Sequence, residues 1–265
     1  MKIKILTLFP EMFTSFLNTS IIKRALSKEV FDIEVIDIRS YSLDKNKRVD
    51  DYPCGGGAGL IMRMQPVYDC LMDNKTENSY VLLTSPRGKT FNQKHAIELS
   101  KKDELIFVCG HYEGIDERFN KYCDELISIG DFILTGGEAA LIPILDSIIR
   151  LLDGTITKES LSEESFDNDL LEYPQYTLPY VFNGDQIPDI LFCGNHEAIR
   201  KYRLKESLRL TKTYRKDLFE KHHFSKEELK LLKEIDENND EPKWYLDALK
   251  NGQKFIKKNV ENNQK

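Results

Sequence analysis

The chain has 265 residues, 40% hydrophobic and 31% charged, an ordinary soluble composition with room for one large domain or two smaller ones. Its longest apolar stretch, Ala139–Ile149, is interrupted by Pro143 and Asp146 and falls short of the ~20 apolar residues of a membrane span, so no membrane partner is expected. A net charge of −6 argues mildly against nucleic acid, yet Arg200–Lys216 holds eight Lys/Arg against one acid, Glu206, which points either to RNA or to a solvated helix face.

In chain order, Ile3–Leu8 reads as a first strand, not a cleavable leader, and Pro10 starts an amphipathic helix carrying Phe13, Phe16, Ile22 and Ala25 at helical spacing. Phe31–Ile38 alternates as a strand. The glycine loop Gly55–Gly59 precedes a helix around Pro66–Met72. Tyr80–Leu83 is a strand ending in the turn signal TSPRG, and a helix over Asn92–Ser100 follows. Leu105–Val108 and Leu126–Leu134 read as strands, Ile115–Tyr122 as a helix between them, and Glu138–Leu152 as a long helix closed by Gly154. This alternation predicts an α/β domain with a largely parallel sheet. Gly154–Asn183 is polar, acidic and without helical periodicity, the composition of a linker or lid. Asn195 is placed to cap a helix with Glu197 in its first turn, and helical patterns continue over Phe224–Ile235 and Trp244–Ile256. The expected domains are therefore 1–153, a linker 154–183, and a smaller helical C-terminal domain 184–265.

The glycine loops carry the chemistry. Both Leu105–Val108 and Leu126–Leu134 end in glycine-bearing turns, where a ligand can lie against the backbone because no Cβ stands in the way. That arrangement suits a nucleotide-like ligand held by main-chain groups. Gly55–Gly59 lacks the G-K-[ST] of a phosphate loop and, with Leu60 in the last glycine's place, also the dinucleotide fingerprint. Five cysteines (Cys54, Cys70, Cys109, Cys123, Cys193) show no C-x-x-C spacing, which favours reduced thiols in a cytoplasmic protein. The histidines at 95, 111, 196, 222 and 223 have no metal-ligand spacing.

CGHYEGIDER and SIGDFILTGGE, with DDYPCGGGAG upstream, LLEYPQYT downstream, the opening KIKILTLFPEMF and the later GNHEAIRKYRLKESL, resemble bacterial tRNA (guanine-N(1)-)-methyltransferase, a family of knotted S-adenosylmethionine-dependent enzymes. The resemblance runs from Lys2 to Leu218 with its motifs in fixed order. It implies a knotted methyltransferase domain that binds S-adenosyl-L-methionine through Ser85, Pro86, Gly110, Tyr112, Glu113, Ile129, Gly130, Asp131, Phe132, Ile133, Leu134, Gly136 and Gly137. It further implies an RNA contact near Asp50, a homodimer, tRNA as substrate, and Mg2+ as a helper ion, while the basic segment offers Arg200, Lys201, Arg203, Lys205 and Arg209 as further RNA contacts.

Guanine N(1) carries a proton near neutral pH, so methylation there needs a general base, and a cation for the charge that develops on the base oxygen. By the resemblance the cation is Arg150. The base is Glu164, which stands where relatives carry aspartate, with Asp167 as the alternative; the linker is also a residue shorter than usual. Leu178 replaces a basic residue of the family's motif. The expected reaction is methyl transfer to N(1) of guanosine at tRNA position 37, 3′ of the anticodon, with the linker ordering as RNA arrives. The rival readings are a related knotted methyltransferase with another RNA target, and an RNA-binding module without catalysis.

Overall fold

The computed structural model describes residues 1–156, 166 and 169–262, the side chains of 259–262 excepted. The chain divides into two compact units, Met1–Leu161 and Ser162–Lys265.

The first unit is built on five parallel strands: β1 (Lys2–Thr7), β2 (Asp32–Asp37), β5 (Ser79–Thr90), β6 (Glu104–Cys109) and β7 (Glu125–Ser128), in the order β2-β1-β6-β5-β7. A two-strand hairpin, β3 (Asp50–Asp51) with β4 (Ile61–Met62), stands apart from it. All six residues of β6 are buried, as a parallel strand covered on both faces requires. Successive side chains alternate between two cores. Ile3, Ile5, Leu82, Leu105 and Phe107 point to one, closed by α2 (Ser20–Ser27), α4 (Gln93–Leu99) and α5 (Gly137–Ile149). Leu6, Val81, Leu83, Ile106 and Val108 point to the other, closed by α3 (Met64–Asn74) and the 3-10 turn Glu117–Tyr122.

Four expected elements take a different form. The helix begun by Pro10 is broken into a 3-10 turn (Pro10–Phe13), α1 (Thr14–Leu17) and α2. Asn18 Nδ2 and Thr19 Oγ1 donate back to the carbonyls of Thr14 and Ser15 at 2.8 and 2.6 Å, and Thr19 itself is extended. The expected strand Leu126–Leu134 ends at Ser128, because Gly130 adopts φ +144° and turns the chain out of the sheet. The expected helix Ile115–Tyr122 is only the 3-10 turn from Glu117, capped by the Asp116 carboxylate, which accepts from Arg118 N. In turn, β5 runs past the TSPRG turn to Thr90, and both Thr84 and Lys89 register with Ile127, so that the intervening residues loop out.

The second unit is helical. The long helix His196–Tyr214 is capped by Asn195, whose side chain accepts from Ala198 N, as expected. Lys226–Asp236 opens on a complete capping box of Ser225 and Glu228. Leu208, Leu231 and Leu232 form one small core, and Ile190, Cys193, Ala198 and Ala248 a second. The last helix, Lys243–Asn262, packs so tightly that a Cβ on Gly252 would lie 2.5 Å from Cys193 O.

Candidate active site at the carboxyl ends of the parallel strands

A cavity of about 590 Å³ opens where β5, β6 and β7 end, within the range of small-molecule sites. In open parallel sheets ligands bind outside the carboxyl ends of the strands, where the connecting loops diverge. Three segments line it: Thr84–Arg87, where β5 loops out between Thr84 and Lys89, Gly110–Glu117 after β6, and Ile127–Gly137 at and beyond the end of β7, from which Asp131 is missing. Twelve of the thirteen residues expected at a cofactor site therefore line one cavity.

The loops are locked by main-chain contacts. Gly137 N donates to Gly110 O at 2.7 Å, and His111 and Gly136 form an antiparallel bridge. A Cβ on Gly137 would stand 1.9 Å from Thr84 Oγ1 and 2.9 Å from Gly110 N, which permits only glycine. The glycine loop reaches the same place: Gly59, at φ +84°, lies against the Glu113 side chain, and Glu113 N donates to Leu60 O at 3.0 Å. Underneath, the buried carboxylate of Glu138 accepts from Thr7 Oγ1 at 2.8 Å and stands 3.5 Å from His111 Nδ1. The latter is longer than an ordinary hydrogen bond and becomes an ion pair only when His111 carries a proton on both ring nitrogens. This pair ties the first turn of α5 to the loop after β6.

The cavity wall is apolar and open. Tyr112, Phe132, Ile133 and Leu134 are all exposed, Ile133 at 85%, a cluster of large hydrophobics of the kind that marks a ligand site. At its rim Arg87 donates twice to Glu117, at 3.2 and 2.8 Å, and this pairing holds the Glu117 carboxyl below its usual value. Arg118 does the same to Asp116. Among the described residues no group of three or more His, Cys, Asp or Glu is placed to hold a metal ion.

The remaining expected residues lie elsewhere. Arg150 is the C-cap of α5, whose N-terminus forms the cavity wall, so its backbone stands about 20 Å along the helix from Gly137. Asp50 sits on β3, 3.9 Å from Arg48 Nε, and does not line the cavity. Glu164 and Asp167 lie outside the described residues. In the second unit Lys205 is 1% exposed, its ammonium donating to Asn239 O and paired with Glu234 at 3.2 Å. Arg200 pairs with Glu197 and Glu227, Arg209 with Glu206 and Asp240. Lys201 stacks over Trp244 and Arg203 over Tyr173. Sequence reasoning did not single out Thr84, Arg87 or Glu138; Thr84 closes a buried apolar run and Arg87 lies in the TSPRG turn, which are weak signals taken singly.

Two of the segments around this cavity are the motifs CGHYEGIDER and SIGDFILTGGE, and comparison with known proteins is decisive on what they mean. The family described as tRNA (Guanine-1)-methyltransferase TrmD matches residues 1–221. The chain belongs to this methyltransferase family. Its curated relatives named tRNA (guanine-N(1)-)-methyltransferase include one from Clostridium botulinum, 54% identical over 237 residues, 89% of this chain and 98% of that protein. Two others, from Clostridium beijerinckii and Clostridium perfringens, are each 57% identical over 235 residues, 88% of this chain and 98% and 99% of theirs. As a methyltransferase of this family the protein uses a methyl donor, and no helix among its described residues is long and apolar enough to cross a membrane.

Proposed function

We propose that the protein transfers a methyl group from S-adenosyl-L-methionine to N(1) of guanosine at tRNA position 37, as a homodimer in the cytoplasm. The observation that carries this reading is the cavity beside the TSPRG turn of β5 and the ends of β6 and β7, walled by the motifs CGHYEGIDER and SIGDFILTGGE within the residues the family matches. The donor, when bound, supplies a methyl group already activated on a sulfonium. The glycines at 136 and 137 let the loops after β6 and β7 close on each other around it, the exposed rings and aliphatic chains cover its apolar parts, and the Glu113 carboxylate offers complementary charge. Glu164, or Asp167, takes the guanine proton, and Arg150 stabilises the charge on the base oxygen.

Arg150 stands a helix length from the cavity of its own unit, so a site that uses both draws the arginine from a second copy. We infer the family's trefoil knot as well. Supporting it, the chain from Thr84 to Lys89 wraps the end of β7 at Ile127, and the segment after β7 returns to Gly110. Mg2+ remains a helper ion to be tested by titration of the reaction. Incubation with methyl-labelled donor and tRNA, followed by digestion to nucleosides, is expected to give labelled 1-methylguanosine; label on another base or on ribose would select the related methyltransferases, and no label the binding module.

A further inference from the structure

The helix Lys243–Asn262 lies beyond the residues the family matches, and about a tenth of this chain has no aligned counterpart in the relatives above. Its pattern is two-sided. Tyr245, Ala248, Gly252 and Ile256 face the small core of Ile190, Cys193 and Ala198. Lys243, Lys250, Lys254, Lys257 and Lys258 fall within about 100° of one another on the opposite face, since each residue advances the helix by ~100°. All five are exposed, and none is paired with a carboxylate among the described residues. Asp247 and Glu261 are the two acids of this helix, the side chain of Glu261 lying outside the described ones.

The basic helix His196–Tyr214 presents the contrast. Arg200, Lys205, Arg209 and Lys212 are held by Glu227, Glu234, Asp240 and Asp236, so each must give up an ion pair before it can meet a phosphate. The lysines of the last helix need no such exchange. We propose that they form a phosphate-binding stripe, an added surface that tracks the tRNA backbone without reading its sequence. Lys250, Lys254 and Lys258 rise about 6 Å apart along the axis, a ladder of point charges suited to a polyanionic strand. The helix's buried face is committed to Ile190, Cys193 and Ala198, and its exposed large hydrophobics among the described side chains are Leu246 and Phe255 alone, a small apolar surface for insertion into a membrane. The inference rests on tRNA being the substrate.

The test is tRNA binding by fluorescence anisotropy across a salt series, comparing the wild type with the quadruple variant Lys250→Gln, Lys254→Gln, Lys257→Gln and Lys258→Gln. Four lost phosphate contacts lower the slope of log K against log salt by about 3 and weaken binding at least about tenfold near 0.1 M salt. Affinity for S-adenosyl-L-methionine and the helical circular dichroism stay unchanged. A variant that binds tRNA with wild-type affinity and slope overturns the proposal. Wild-type protein captured on phosphatidylserine vesicles, with capture lost in the variant but tRNA binding kept, overturns it in favour of a membrane surface. If the quadruple variant unfolds, Lys254→Gln and Lys258→Gln are read singly, each lowering the slope by about one. A wild type that binds tRNA but transfers no methyl removes the proposed reaction and leaves the stripe standing; one that methylates while the variant binds normally does the reverse.

Discussion

Gly137 has the tightest surroundings in the cavity wall, with Thr84 Oγ1 1.9 Å from where a Cβ would sit. Gly137→Ala therefore overpacks the junction of the loops after β6 and β7, at a cost of about 2 kcal/mol in stability, and weakens S-adenosyl-L-methionine binding at least about tenfold. Adding Thr84→Ala relieves the worst contact and restores part of both, as calorimetric titration and denaturant melts would register; no loss in the single variant would contradict this packing. The thiols make a second residue-scale prediction. Burial pushes the Cys70 and Cys123 thiols up to about 12 and Cys109 well above its usual value, and Cys193 is buried, whereas Cys54 is exposed in the glycine loop. Because the thiolate is the nucleophile, one thiol of the native protein should react quickly with a chromogenic disulfide and the other four only after unfolding. A fast Cys70, Cys109 or Cys123 would show that the first unit opens, and a fast Cys193 that the second does. The glycine pattern was readable because close backbone approach admits no other residue. Thr84 and Glu138 were not, since a buried threonine or glutamate has no signature until its partner, distant in sequence, is in place.

Among elements, the capping box at Ser225–Glu228 offers the cleanest measurement. Burial raises the Glu228 carboxyl, but the bonds from Ser225 N and its hydroxyl, with His222, outweigh this, and its pKa is lowered. A depressed carboxylate contributes stability that is present above its ordinary value of 4.5 and is lost as pH falls through the lower folded value. Glu228→Ala should therefore cost about 1 kcal/mol near neutral pH and progressively less in acid. Chemical melts from pH 7 downward check it, and a pH-independent difference would contradict the assignment. The elements that sequence located best were those whose local signals agree: β1, β2 and β6, α5, and the helix capped by Asn195. Leu126–Leu134 misled because an apolar run reads as a buried strand, whereas its second half serves as the exposed wall of a cavity. The ion pairs of the Arg200–Lys216 segment were hidden for another reason, since several of the carboxylates that hold its cations come from residues 227 to 240.

At the scale of the whole molecule, the cavity and Arg150 make the oligomer a functional question. Arg150→Ala and Gly137→Ala chains should each be nearly inactive alone. Co-refolded, they should recover roughly a quarter of the wild-type rate, because half of a statistical mixture of two-fold dimers are mixed and each mixed dimer keeps one intact site. No recovery would place arginine and cavity in the same copy, and an Arg150→Ala chain active by itself would dispense with the arginine. Motif order made the family legible from sequence, while the roles of Glu164 and Arg150 came only by resemblance, since a linker carboxylate and a helix-end arginine carry no chemistry until the substrate brings them together. The measurement that tests the central claim most directly is transfer of labelled methyl to two tRNA transcripts, one with guanosine and one with adenosine 3′ of the anticodon, by the wild type and by Glu164→Ala. The account predicts label in the guanosine transcript alone, on N(1), reduced at least about a hundredfold in the variant. Equal label in both transcripts, or none in either despite measurable binding of S-adenosyl-L-methionine, would contradict it.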